Sequence, residues 1–395
     1  MQDFDLKMEM RETESLASQQ NGFPLLRKLR VKNKSHEIAR DVRVRLAFDP
    51  AFASCDEILL GDIPAGKSGK VDDIPVNVST DYLAALTESV SGTVTFSIRC
   101  GESEDGPDIR KCIRLYPYDR WEGLDYPELL PCYCVPNNPA LRPVIRRASE
   151  ILGRRTGDPS LDGYQTGNPN RVKQMVGAVF DAVKELGITY SNPPASAGQA
   201  GQRIRLPEEI LSSRMGTCLD TTLLQASCLE AIGVRPVLVL TTSHAFCGVW
   251  LVENCSSHMI NKDAAALRKR TADGINEMIV FETTLADRKQ EVSFDKAVSD
   301  AEDTLFTAGN FYCWIDVEAA RRMDICPLSQ RILTPDGYVI VSERHVKEHK
   351  PEEIPEDDDI DITAAARVDK RTIWERKLLD LSLRNELVNL HRGVG

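Results

Sequence analysis

No stretch of this chain approaches the roughly 18 consecutive apolar residues of a membrane-spanning helix, so no membrane partner is expected. The first residues, Met1-Gln-Asp-Phe-Asp-Leu-Lys7, are acidic and carry no apolar signal core. Positive charge is in deficit: 49 Lys and Arg stand against 60 Asp and Glu, a formal charge of −11. Sequence-independent phosphate binding runs on Lys/Arg counterion release, so direct nucleic-acid binding by the chain as a whole is not expected. The local run Arg142, Arg146, Arg147, Arg154 and Arg155 reads as a solvated helix face. No Walker-type phosphate-binding lysine motif occurs. The eleven cysteines have no regular spacing, which argues for free thiols in a reducing cytoplasm. Cys132-Tyr-Cys134 has no second pair at zinc spacing, and Cys255-Ser-Ser-His258 is too loose to complete a site. No metal and no cofactor are therefore expected.

What is present suffices for a sizeable core: 42% of the residues are apolar. A length of 395 residues suggests two or three domains of roughly 100–200 residues each. Residues 1–115 are expected to be all-β, an immunoglobulin-like accessory sandwich. Pro24–Asn33, Val42–Phe48, Glu57–Gly61 and Val94–Cys100 mostly alternate apolar and polar residues between Asp, Gly, Pro and Ser clusters. Residues 116–139 are rich in Pro and aromatics and read as an ordered crossing segment. Residues 140–330 form the next domain, with helices over Leu141–Leu152 and Arg171–Leu186 and a long Gly-rich loop over 190–205. Ser293–Thr304 reads as charged and peripheral. Residues 331–370 hold a strand and an acidic, Pro-interrupted stretch (348–362) expected to be a disordered linker. Residues 371–395 read as an amphipathic helical segment, with Trp374, Leu378, Leu379, Leu381 and Leu383 in want of a surface.

The chemistry concentrates at Arg214-Met-Gly-Thr-Cys218-Leu-Asp. Gly216 and Thr217 read as a turn and an N-cap, so Cys218 becomes the first residue inside a helix. Leu219, Leu223, Ala226, Leu229 and Ile232 give it one apolar stripe, and Gly233 sits where a C-terminal glycine belongs. A cysteine there faces unpaired backbone N–H groups and the positive end of the helix dipole, which favour thiolate. Pro236–Leu240 reads as a buried strand. Ser243-His244-Ala-Phe then puts a histidine at the head of a second strand. Met278-Ile-Val-Phe-Glu282-Thr-Thr puts a carboxylate at the end of a third. Nucleophile, base and orienting acid thus follow in the order of a Cys-His-acid triad. Asp287 and Asp220 are the competing acids, and Asp220 suits the helix start better. His258, in a loop-like context, is the next candidate base.

Gly-Thr-Cys218-Leu-Asp, Ser-His244-Ala-Phe and Phe-Glu282-Thr-Thr resemble the transglutaminase-like cysteine peptidase superfamily, a relative of papain, over about residues 136–330. The third word departs from that family's usual Asp-Pro-Thr. The resemblance implies an α+β domain with a central helix packed on an antiparallel sheet. It also implies an oxyanion donor upstream of the cysteine. Gln199 and Gln202 are the available amides, Gln202 being favoured, beside the backbone N–H of Cys218. Trp374-Glu-Arg-Lys-Leu-Leu-Asp-Leu-Ser-Leu-Arg-Asn385 resembles the opening of a domain of unknown function in large superfamily-one helicase and nuclease proteins. That likeness implies the front portion of a larger bacterial protein, a helicase or nuclease module as partner, and a role in antiviral defence.

The leading expectation is a multidomain protein acting as a thiol hydrolase, a cysteine peptidase on protein or peptide substrates that works through a thioester. The alternatives are an acyl transferase of transglutaminase type, with an amine resolving the thioester, and an inactive scaffold that couples a partner to a helicase.

Overall fold

The computed structural model describes residues 3–101, 103–104, 108–192, 201–272, 274–284, 292–306, 310–335 and 337–341. All lie in one compact unit, Met1–Val346. The acidic stretch 348–362, the segment 371–395, Gln199 and Asp287 fall outside the described residues.

The chain mixes α and β structure in several sheets, and its N-terminal part is β-rich. A three-stranded sheet runs Phe4–Met10, Leu26–Asn33, Ser68–Asp72. A larger sheet runs Thr13–Glu14, Ile109–Leu115, Val90–Cys100, Ala39–Asp49, Ile58–Ile63. Alternation places Leu29 and Val31 of the first sheet, and Val42, Val44, Val94 and Phe96 of the second, in one shared core around Phe52. Phe4–Met10, Ser68–Asp72 and Ile109–Leu115 are among the strands with no counterpart in the sequence reading. Phe4–Met10 keeps five of its residues half-buried rather than cleanly alternating, and Ile109–Leu115 carries charge at Arg110, Lys111 and Arg114.

The Pro- and aromatic-rich crossing segment is ordered and buried. Tyr118, Trp121, Leu129, Leu130 and Tyr133 join the same core as the helices that follow. A buried polar cluster ties it to the N-terminal strands. Glu122 accepts from Arg11 Nη2 at 2.7 Å, from Ser15 Oγ at 2.7 Å and from the Thr13 hydroxyl. Glu14 beside it is fully buried, and that burial pushes its carboxyl up to about 7 against the pull of Arg11 and Ser18.

The remaining part is built on a five-stranded antiparallel sheet in the order Ile260–Asn261, Phe311–Asp316, Pro236–Thr241, Ala245–Trp250, Met278–Phe281. The helix Cys218–Ala231 packs on its two inner strands, with the helices Arg142–Thr156 and Pro169–Lys184 beyond. Two readings are corrected here. The Cys218 helix has no single apolar stripe: every residue from Cys218 to Leu229 is buried, because it runs through the core between helices and sheet. Ser293–Thr304 is not peripheral either. It belongs to the helix Phe294–Phe306, whose Ala297, Ala301 and Leu305 are buried against the sheet. Its charges decorate one face only. Phe294 closes an aromatic trio with Phe180 and Phe281, centroids 5.5–6.1 Å apart.

Candidate active site

Thr217 caps the Cys218 helix in extended backbone conformation, and Cys218 is the first helical residue, 4% exposed. The Thr217 hydroxyl accepts from the Asp220 N–H at 3.2 Å, and the Asp220 carboxylate accepts from the Thr217 N–H at 2.8 Å. This reciprocal pair is a capping box. At the other end Ile232 is the cap and Gly233 follows at φ +76. Asp220 is fully buried and also accepts from Arg205 N–H at 2.9 Å and Arg205 Nη1 at 3.0 Å. It therefore serves the helix start, as its position suggests, and in addition fastens the 201–206 stretch beside it.

That stretch brings Gln202 to the site's edge. Gln202–Arg203 pairs antiparallel with Arg120–Trp121, and the Gln202 side-chain amide donates to Thr217 Oγ1 at 3.4 Å. The approach depends on Gly201. A Cβ there would lie 2.1 Å from the Trp121 carbonyl oxygen, and its φ of +72 is already unfavourable to other residues.

His244 sits between the strands Pro236–Thr241 and Ala245–Trp250. The turn is closed by Thr241, whose N–H donates to His244 O at 2.8 Å and whose hydroxyl accepts from His244 N–H at 2.9 Å. Cys247 pairs with Phe281 across the sheet. With side chains alternating, His244 and Glu282, three residues before and one residue after, fall on one face. His244 Nε2 lies 2.9 and 2.8 Å from the two Glu282 oxygens. The Cys218 thiol is within hydrogen-bonding reach of the same ring, and Nδ1 is the nitrogen left for it. Burial opposes charge on this imidazole. Hydrogen bonds to Cys218 and Glu282, with the Glu282 charge, outweigh it and push His244 up to about 10. Glu282 is held from behind as well: its N–H donates to Ala297 O at 2.9 Å, and Thr284 Oγ1 donates to its carboxylate at 3.2 Å.

Two contributors had no signal in the sequence. The Thr283 hydroxyl lies 3.0 Å from both Thr221 Oγ1 and Thr222 Oγ1. It ties the Cys218 helix to the strand that leads into Glu282. Tyr190, on the short strand Thr189–Tyr190, brings its hydroxyl within hydrogen-bonding reach of the Cys218 sulfur. The sequence stands out at 190–205 for its glycines, and nothing in the local pattern selects this tyrosine.

The competing residues stand elsewhere. His258 is exposed in a loop. Cys132 and Cys134 are buried thiols, both pushed up by burial, Cys132 to about 12. Burial likewise raises Cys228 to about 12 and pushes Cys247 higher. Among the described residues no group of three or more His, Cys, Asp or Glu is placed to hold a metal ion, and no helix is long and apolar enough to cross a membrane.

No family model matches the chain, and no curated protein matches it. Among solved structures, the native conformation of E. coli alpha-2-macroglobulin aligns with 11% identity and a TM-score of 0.19, over 56% of this chain and 13% of that one. The chain thus spans a small part of that protein's length, and a likeness this slight carries no argument about fold or chemistry.

Proposed function

We propose that this protein is a thiol hydrolase, a cysteine peptidase whose Cys218, His244 and Glu282 form a catalytic triad on a transglutaminase-like scaffold. The observation that carries the reading is the bridging position of His244. One ring nitrogen meets Glu282 at 2.8–2.9 Å, and the ring also reaches the thiol of a cysteine at a helix start. The all-antiparallel sheet with one buried helix against it supports the scaffold, and the shared core of the two N-terminal sheets supports an immunoglobulin-like accessory domain. The resemblance of residues 374–385 supports a helicase or nuclease partner and a cytoplasmic role in antiviral defence.

The chemistry follows from the placement. His244, its pKa pushed up to about 10, stands as imidazolium beside the Cys218 sulfur through Nδ1, and Glu282 holds it in the right orientation. The thiolate attacks a carbonyl carbon, and the oxyanion meets the Cys218 backbone N–H, with the Gln202 amide at the site's edge as the side-chain candidate. Collapse expels the leaving group with a proton from His244, and water resolves the thioester.

The test is the pre-steady-state burst of p-nitrophenol from p-nitrophenyl acetate, with intact-mass detection of the acyl-enzyme. A burst in the wild type that Cys218→Ala abolishes supports the reading. An identical trace from both proteins would favour the inactive scaffold. Faster turnover of the acyl-enzyme with added glycine amide, beyond that in water, would favour the acyl transferase.

A further inference from the structure

Tyr190 stands beside the start of the Cys218 helix. Its strand, Thr189–Tyr190, lies parallel to Met215–Gly216, with Tyr190 paired to Gly216, two residues before the nucleophile. Two backbone hydrogen bonds fix the pairing: Thr189 N–H to Arg214 O at 2.7 Å, and Ser191 N–H to Gly216 O at 2.9 Å. Arg214, at φ +55, is the turn that lets the chain reach this strand from the helix Pro207–Ser213. The phenol is half-buried, and after burial it is the neighbouring Cys218, by charge and hydrogen bonding, that raises its pKa. The sulfur is thus flanked by two polar partners, an imidazole and a phenol. The mechanism above uses only the first.

We propose that Tyr190 is a further catalytic residue, the side-chain donor that stabilises the oxyanion formed when Cys218 attacks a carbonyl. This rests on the thiol-hydrolase reading. A donor turned toward the Cys218 sulfur lies close to where the carbonyl oxygen arrives during attack. During attack a sulfur lone pair forms the S–C bond and the carbonyl π pair moves onto oxygen. Tyr190 keeps its proton and shifts its hydrogen bond from sulfur to that oxygen. Collapse returns the pair to the C=O bond and breaks the bond to the leaving group, which departs with the proton held by His244. Water then adds to the thioester carbon and gives its proton to His244, and the same donor serves the second oxyanion before the Cys218 thiolate leaves. A phenol suits the task because burial, then the neighbouring Cys218 and Glu282 charges, hold its pKa above the ordinary value and keep it protonated.

Two reactions at the same sulfur separate this role from others. Acylation by p-nitrophenyl acetate passes through an oxyanion, whereas alkylation by iodoacetamide displaces iodide and does not. Tyr190→Phe keeps the ring, and an unchanged thermal melt checks the fold. The expected result is a fall in burst rate of about 10²–10³-fold, the usual consequence of removing one oxyanion donor, with alkylation of Cys218 changed far less. An equal fall in both rates would overturn the proposal and leave Tyr190 as a residue that only sets the state of the thiol. An unchanged burst, or a faster one, would also overturn it, the latter marking Tyr190 as a group that occludes the sulfur. A wild-type burst that survives Cys218→Ala overturns the hydrolase reading itself, and this proposal with it. A Cys218-dependent burst that ignores Tyr190→Phe sinks the proposal alone.

Discussion

His244 Nε2 faces both oxygens of Glu282, at 2.9 and 2.8 Å, so the carboxylate meets the imidazole as a fork and not through one oxygen. A single N–H shared in this way gives up directionality for a strong local charge. The two residues leave their strands just beyond the Cys247–Phe281 pair, and such diagonal neighbours are roughly 7–8 Å apart at their backbones. Glutamate, one methylene longer than the aspartate of the resembled family, closes that span.

Charge and reach can be separated at this position. Glu282→Gln keeps the length and removes the charge, and its rate should fall by up to about 10⁴-fold, the loss produced by neutralising the orienting acid of a serine triad. It should still exceed that of Cys218→Ala, since removing an orienting acid leaves more residual rate than removing the nucleophile. Glu282→Asp keeps the charge and should retain part of the activity. Burst rates on one acyl donor order the three variants, and a Glu282→Gln rate equal to wild type would mean that Glu282 does not orient the base.

The protonation of His244 gives a stability signature with a definite sign. Its folded-state value of about 10 lies above the ordinary 6.5, so the folded protein binds this proton more tightly than the unfolded chain. The stabilisation is fully present below about pH 6.5 and is lost as pH rises through 10. Cys218 and Glu282 face the ring and shape the same window. Thermal melts from pH 6 to 11 should show wild type more stable than Glu282→Gln at the acid end, with the gap closing toward pH 10. A gap that widens with pH would contradict the assignment.

The eleven thiols should not react alike. Cys112 is exposed, while Cys218 is 4% exposed, so access alone would favour Cys112. Reactivity follows thiolate character, and the His244 imidazolium supplies it at Cys218. Iodoacetamide at pH 6, followed by peptide mass spectrometry, should label Cys218 first. His244→Ala should slow that site and leave Cys112 unchanged. Early labelling of Cys228, pushed up by burial to about 12, would mean that the structure opens far from the site.

What the sequence made readable is local. A glycine, a threonine and a cysteine ahead of an apolar run announce a capped helix start. His244 and Glu282 announce themselves as polar residues at the ends of apolar strands. Tyr190 and Thr283 act across distance instead. Tyr190 precedes Cys218 by a loop and a helix and meets it through a strand two residues long, too short for any alternation to register. Thr283 is one of two adjacent threonines, and only its 3.0 Å contacts with Thr221 and Thr222 separate it from Thr284. The helix Phe294–Phe306 was misread because its five charged residues are as many as the apolar ones that pack, Phe294, Ala297, Val298, Ala301 and Leu305. The helix Cys218–Ala231 was misread because burial on all sides leaves no polar face to define a stripe.

Asp220 is where stability and the proposed site meet. Its fully buried carboxylate takes three hydrogen bonds: Thr217 N–H at 2.8 Å, Arg205 N–H at 2.9 Å and Arg205 Nη1 at 3.0 Å. The first fixes the cap of the nucleophile helix, and the other two hold the chain that carries Gln202. Thr217→Ala should cost about 1 kcal/mol, the usual worth of a cap. Asp220→Ala should cost more, about 3 kcal/mol, because it leaves two backbone N–H groups and a guanidinium without their acceptor. Asp220→Asn keeps one acceptor oxygen and should fall between the two. Urea unfolding gives the order directly, and the burst assay gives the consequence. If Asp220 also positions the site, its variants should lose acylation rate beyond what their folded fraction explains, whereas Thr217→Ala should lose little. Equal stability of Asp220→Ala and wild type would mean that water or another acceptor replaces the carboxylate, and that the pairing with Arg120–Trp121 and the Gln202–Thr217 contact suffice to hold the 201–206 stretch.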